Sequence, residues 1–111
     1  AIYDLKQRIY VPVAELSGKC DDYLGPLPAA YQPWKSVNFS KSKDLLLKAH
    51  FDELKEMQTN GANLAKKYHQ RSAEIGKQLV SSGVANSDED VNTVMLTGFF
   101  HAYGPINNFL N

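Results

Sequence analysis

From Ser42 to Val80 the chain carries a stripe at helical spacing. Leu47, Phe51, Leu54, Gln58, Gly61, Ala65, Tyr68, Ser72, Ile75 and Leu79 follow one another at alternating intervals of four and three residues. One side chain per turn on a single line is how helices pack against helices, so this stretch constrains the fold towards an all-α architecture. Unbroken, it would form a helix of about forty residues and about 60 Å, at 1.5 Å per residue. A domain of this length has a radius of gyration of only about 13 Å, which favours a break. Thr59-Asn60-Gly61 supplies a turn signal at the right place, although the stripe keeps its phase across it and one glycine inside a helix costs only about 1 kcal/mol.

Either side of that stretch the pattern continues. Ile2, Leu5, Ile9, Val13, Leu16, Cys20 and Leu24 recur every three or four residues, which predicts a first helix over 2–24 kinked at Pro12. The competing reading is a short strand over Arg8–Val13, because Ile9, Val11 and Val13 alternate. Gly25 to Ser40 holds Pro26, Pro28 and Pro33 and reads as a loop, yet Leu27, Tyr31, Trp34, Val37 and Phe39 make it too apolar for a solvated linker. It is expected to lie across the helices as a cover, or else to present a hydrophobic patch to a partner. Ser87 three residues before Asp90 resembles a capping box, and Asp88, Glu89 and Asp90 suit the positive end of a helix dipole.

These signals predict a single helical-bundle domain over residues 1–111: an antiparallel up-and-down four-helix bundle, with helices over 2–24, 41–58, 62–82 and 87–103. The Pro-rich covering loop joins the first two. The expected core comprises Leu5, Ile9, Val13, Leu16, Leu47, Phe51, Leu54, Ala65, Tyr68, Ile75, Leu79, Val91, Met95 and Phe99. Cys20 is the only cysteine, so no intrachain disulfide forms; its expected place is the buried side of the first helix. The absence of an initiator Met suggests a processed mature protein or an excised domain.

Twelve basic and twelve acidic residues balance, leaving no global field with which to hold nucleic acid or an anionic membrane. No apolar run is long enough to span a bilayer. The charges are unevenly placed: residues 41–77 carry eight basic groups against five acidic ones, while residues 78–111 have only Asp88, Glu89 and Asp90. Two readings follow, complementary neighbouring helices or a basic face left free for an acidic partner.

Catalytic patterns are missing. His50, Asp52 and Glu53 form a cluster, but neither Glu-x-x-His nor His-x-x-x-His occurs. His69 on a basic helix reads as exposed, and His101 among Phe99, Phe100 and Tyr103 as buried or half-buried. Cys20 sits beside Asp21 and Asp22, which oppose a thiolate. There is no Gly-x-Ser-x-Gly elbow and no Gly-rich phosphate loop. The sequence therefore predicts no enzyme, no metal and no cofactor. It predicts instead a docking protein whose partner-binding residues are Trp34, Lys55, Lys66, Lys67 and Arg71, with Trp34 either a lid on the core or an interface anchor. The partner expected is a protein assembly with an acidic surface. The rival reading is a bundle holding an apolar small molecule between its helices.

The small size, the four-helix reading, the apparent processing and the lack of catalytic residues resemble the PsbQ-type extrinsic proteins of photosystem II. That resemblance implies a non-enzymatic subunit peripheral to a membrane complex in the thylakoid lumen. It rests on no specific motif, and neither the free cysteine nor the long Pro-rich segment matches that family.

Overall fold

The computed structural model describes residues 1–111 and consists of a β-hairpin followed by five helices. The expected four-helix bundle is not what forms. Residues 2–24 do not make a kinked helix: β1 (Ile2–Asp4) pairs antiparallel with β2 (Ile9–Val11), Tyr3 facing Tyr10, and α1 runs only over Val13–Leu24. Pro12 explains the difference. Its ring disfavours the helical conformation for Val11, so the chain arrives extended and Pro12 stands just outside α1, with φ −58° and ψ 138°. Asp4 then builds the turn, Oδ1 accepting the N–H groups of Lys6 at 2.8 Å and Gln7 at 3.0 Å. The strand reading is realised over Ile9–Val11.

The Pro-rich segment contains a fifth helix, α2 (Trp34–Asn38). Pro28 and Val37 are buried, and the Glu53 carboxylate accepts the N–H groups of Ala29 at 2.6 Å and Ala30 at 2.9 Å. The segment is thereby pinned to α3 (Lys43–Glu56), which leads to α4 (Asn60–Ser81). The break falls at 57–59, with Asn60-Gly61 opening the second helix rather than ending the first. The Thr59 hydroxyl accepts the Ala62 N–H at 3.2 Å, and Asn60 Nδ2 donates to the Tyr23 carbonyl at 2.9 Å. A Cβ on Gly61 would lie 2.9 Å from the Leu24 carbonyl oxygen, so glycine is what lets α1 and α4 meet.

The Ser87 hydroxyl caps α5 (Asp88–Gly98) by accepting the Asp90 N–H at 3.1 Å. The helix stops at Gly98, short of residue 103, because Phe100 turns into the left-handed region at φ 56°. Residues beyond it fold back. Tyr103 and Phe109 pack on Phe51, which is 2% exposed and stacks on Phe109 at 4.7 Å between ring centres. Phe51 forms the core with Val37, Leu47, Leu54 and Ala62. Of the expected core, Leu47, Phe51, Leu54 and Val91 are buried, and Leu16 and Met95 are half-buried. Leu5, Ile9, Val13, Ala65, Tyr68, Ile75, Leu79 and Phe99 are exposed, as is Cys20. The buried face of α4 is Ala62, His69 and Gly76, one residue out of phase with the sequence stripe.

Candidate docking surface

The shifted phase of α4 leaves its most apolar line outward. Leu64, Tyr68, Ile75 and Leu79 lie within one sector of the helix at 100° per residue, and all are exposed. The inner face carries smaller groups because the backbone is closely approached there. A Cβ on Gly76 would lie 2.8 Å from Ile106 Cγ1 and 3.4 Å from Val91 Cγ1.

Tyr68 connects this stripe to an aromatic cleft of about 470 Å³. The cleft lies where α2, α4, α5 and the turn after α5 meet, and its lining includes Trp34, Met95, Phe99, Phe100 and Tyr103. Phe100 is 71% exposed despite its left-handed backbone, a conformation that costs a non-glycine residue about 1–2 kcal/mol. Its carbonyl is anchored by Asn38 Nδ2 at 2.7 Å, which ties the turn to α2. The hydrogen bond fixes the turn in which the Phe100 ring stays exposed, against the cost of its backbone conformation.

Two imidazoles reach the cleft. His69, expected to be exposed, is buried, and its Nε2 meets Asn107 Oδ1 at 2.9 Å. That oxygen also accepts the Phe109 N–H, while Asn107 Nδ2 donates to the Gly104 carbonyl, so Nε2 of His69 is the donor. His101, expected to be at least half-buried, is exposed. The phenol of Tyr103 has its pKa raised by burial, with the nearby Tyr68 adding to the effect. The lining contains no carboxylate, lysine or arginine. Such a surface can accept rings and aliphatic chains.

The five residues predicted as partner-binding do not share one face. Trp34 is 61% exposed and lines the cleft. Lys66 turns into the α3–α4 joint, where Nζ donates to the carbonyls of Lys55 at 3.0 Å and Met57 at 2.5 Å. Lys55 Nζ donates to the Asn111 carbonyl at 2.9 Å and lines a second cavity with Lys66 and Lys77. Arg71 is paired with Glu74 at 3.1 Å, and Lys67 is exposed without an ion pair. The aromatic turn was missed in the sequence; Gly98 followed by Phe99-Phe100 was the available signal, a helix stop leading directly into two large rings.

No group of three or more His, Cys, Asp or Glu side chains comes together to hold a metal ion. No helix is long and apolar enough to cross a membrane. Comparison with protein-family models, curated proteins and solved structures yields no match, so the surface itself carries the functional argument.

Proposed function

We propose that this chain is a non-catalytic assembly module that docks on other protein subunits through the apolar face of α4 and the adjoining aromatic cleft. The observation that carries the reading is its surface area. The protein exposes 8469 Å². A compact monomer of its mass exposes about 6100 Å², leaving an excess of roughly 2300 Å². Standard protein–protein interfaces remove about 1200–2000 Å² in total, or about 600–1000 Å² from each partner, so the excess on this one chain is more than enough for one side of an interface awaiting its partner. The docking face contributes large rings to it, with Tyr68 78% and Phe100 71% exposed. Large exposed rings are what interface hot spots are made of.

Charge contributes at the margin. Lys67 and Arg71 flank the Leu64–Tyr68–Ile75–Leu79 stripe on one side, which suits a partner with acidic groups at the matching edge. An extrinsic subunit of a photosynthetic membrane complex is one assembly of this kind. The four-helix architecture behind that resemblance is absent, however, so the proposal rests on the face and not on the family.

The test is a photo-crosslinking side chain placed at position 68 in protein expressed in its native source, with position 89 as the control. The proposal expects protein adducts from position 68 alone and migration well above 12.4 kDa in native extracts. A free monomer without adducts overturns it. The second reading, a small molecule held in the aromatic cleft, draws on the 470 Å³ volume, which lies within the range of about 300–1000 Å³ typical of ligand sites. A stoichiometric small molecule in the mass spectrum of natively purified protein would favour it.

A further inference from the structure

Residues 1–27 include not one buried side chain. That N-terminal quarter is nevertheless built from regular elements, a hairpin of two three-residue strands and the twelve-residue α1. Neither is self-sufficient: a lone two-stranded hairpin is at best marginal in water, and isolated helices below about 12–15 residues are marginal too. Their anchorage to the remaining chain is at the end of α1, where Leu24 meets Gly61 and the Tyr23 carbonyl accepts from Asn60. The apolar line of α1, Val13, Leu16, Cys20 and Tyr23, has no core to enter.

The same molecule therefore holds an arm without a core and, on α4, an apolar stripe without a cover. We propose that the arm formed by the hairpin and α1 packs on the outer stripe of α4 in a second copy of this chain, the two copies exchanging arms. This deepens the docking reading and rests on it. Three features select a second copy as the occupant. Burial of the excess on both copies amounts to about 4600 Å², within the roughly 2000–5000 Å² of obligate homodimers. The facing surfaces are complementary in charge: α1 carries Glu15, Asp21 and Asp22 against Lys19, whereas Lys67 and Arg71 flank the outer stripe of α4, Arg71 beside Glu74. The chain as a whole has no net charge to keep copies apart.

The experiment is sedimentation equilibrium of the full chain between about 1 and 100 μM, with reductant present because exposed Cys20 could link copies covalently. A dimer is expected. Ile75→Glu, and independently the more exposed Tyr68→Glu, should shift the mass to monomer with the circular-dichroism spectrum unchanged. Val13→Asp combined with Cys20→Lys should do the same from the arm side. Val13→Asp suits the positive end of the helix dipole and Cys20→Lys brings in a better helix former, so loss of α1 would not explain the result. Mixing the arm variant with Ile75→Glu should restore a dimer, since one intact arm meets one intact stripe. A monomer at every concentration overturns the inference, as does an arm variant that dimerises like the original. If the purified chain is monomeric yet crosslinks from position 68 within a large native complex, arm exchange fails and the docking reading survives. A monomer without crosslinks in native extracts sinks both.

Discussion

Asn92 closes the C-terminal turn with both ends of its amide, Nδ2 donating to the Ile106 carbonyl at 2.8 Å and Oδ1 accepting the Ile106 N–H at 2.9 Å. Gly104 is buried against it: a Cβ there would sit 2.2 Å from Asn92 Cγ. Asn92→Ala strands two partly buried backbone groups and should cost about 2 kcal/mol in urea unfolding. Gly104→Ala should cost a similar amount by pushing the same amide aside. Because both act through one pair of bonds, the double variant should lose much less than the sum. The titrating residues make a second prediction at this scale. His50 has its pKa lowered below 6.5 by burial, an effect partly offset by Glu53. Glu53 is in turn held below 4.5 by the N–H of Ala30, then that of Ala29. In both cases the unfolded chain takes up its proton first, so stability falls as pH falls. The melting temperature should decline once below about pH 6.5 through His50 and again below about pH 4.5 through Glu53. His50→Gln should flatten the first decline and Glu53→Gln the second.

At the level of elements, one lysine has become part of a joint. Lys66 satisfies two carbonyls at the C-terminal end of α3, groups that a helix leaves without internal partners. Lys66→Met should therefore destabilise by about 1–2 kcal/mol, read as a drop in melting temperature of several degrees. Lys67→Met, one residue on and exposed, should leave the melting temperature within about a degree, since surface changes stay within about 0.5 kcal/mol. This contrast also shows what the sequence could and could not reveal. The Ser87 cap and the need for a break between α3 and α4 were legible, because each is a local signal with a local cause. The phase of α4 was not. Hydropathy points to Tyr68, Ile75 and Leu79, but close packing selects the small Ala62 and Gly76, against which Ile106 and Val91 can fit. At the first helix, an interval of three or four residues concealed a hairpin whose real determinants are the Asp4 turn and the constraint Pro12 places on Val11. Of the candidate site, Trp34 stood out as a large ring in a Pro-rich segment too apolar for a solvated linker, and it lines the aromatic cleft. That Lys55 and Lys66 donate to backbone carbonyls was not legible, because charge along a helix does not reveal which carbonyls lie within reach.

On the scale of the whole molecule, shape and stability are coupled through the arm. The Cα radius of gyration is 16.6 Å, and the molecule measures 46 × 32 × 27 Å. A compact chain of this length would give about 13 Å, so part of the mass stands away from the core. The buried cluster draws on α2, α3, the start of α4 and the C-terminal turn, while the hairpin and α1 add nothing to it. Amide hydrogens open with the free energy of the unit that contains them, and a unit without buried contacts opens cheaply. In dilute solution the amides of Val13–Leu24 should therefore exchange far faster than those of α3 at Leu47, Phe51 and Leu54, although both segments are helical. Tyr3 and Tyr10, packed edge-on at 5.1 Å across the hairpin, should lose their ring contact along with α1 and well before global unfolding. If the arms are exchanged between copies, raising the protein concentration through the association range must slow exchange in 13–24 and on the outer amides of α4 together. Exchange at Phe51 should change much less, since its protection already comes from within one chain. Native-state exchange read by mass spectrometry at two concentrations gives this result directly. Equal protection of α1 and α3 in the dilute monomer would mean that the arm has a source of stability other than packing.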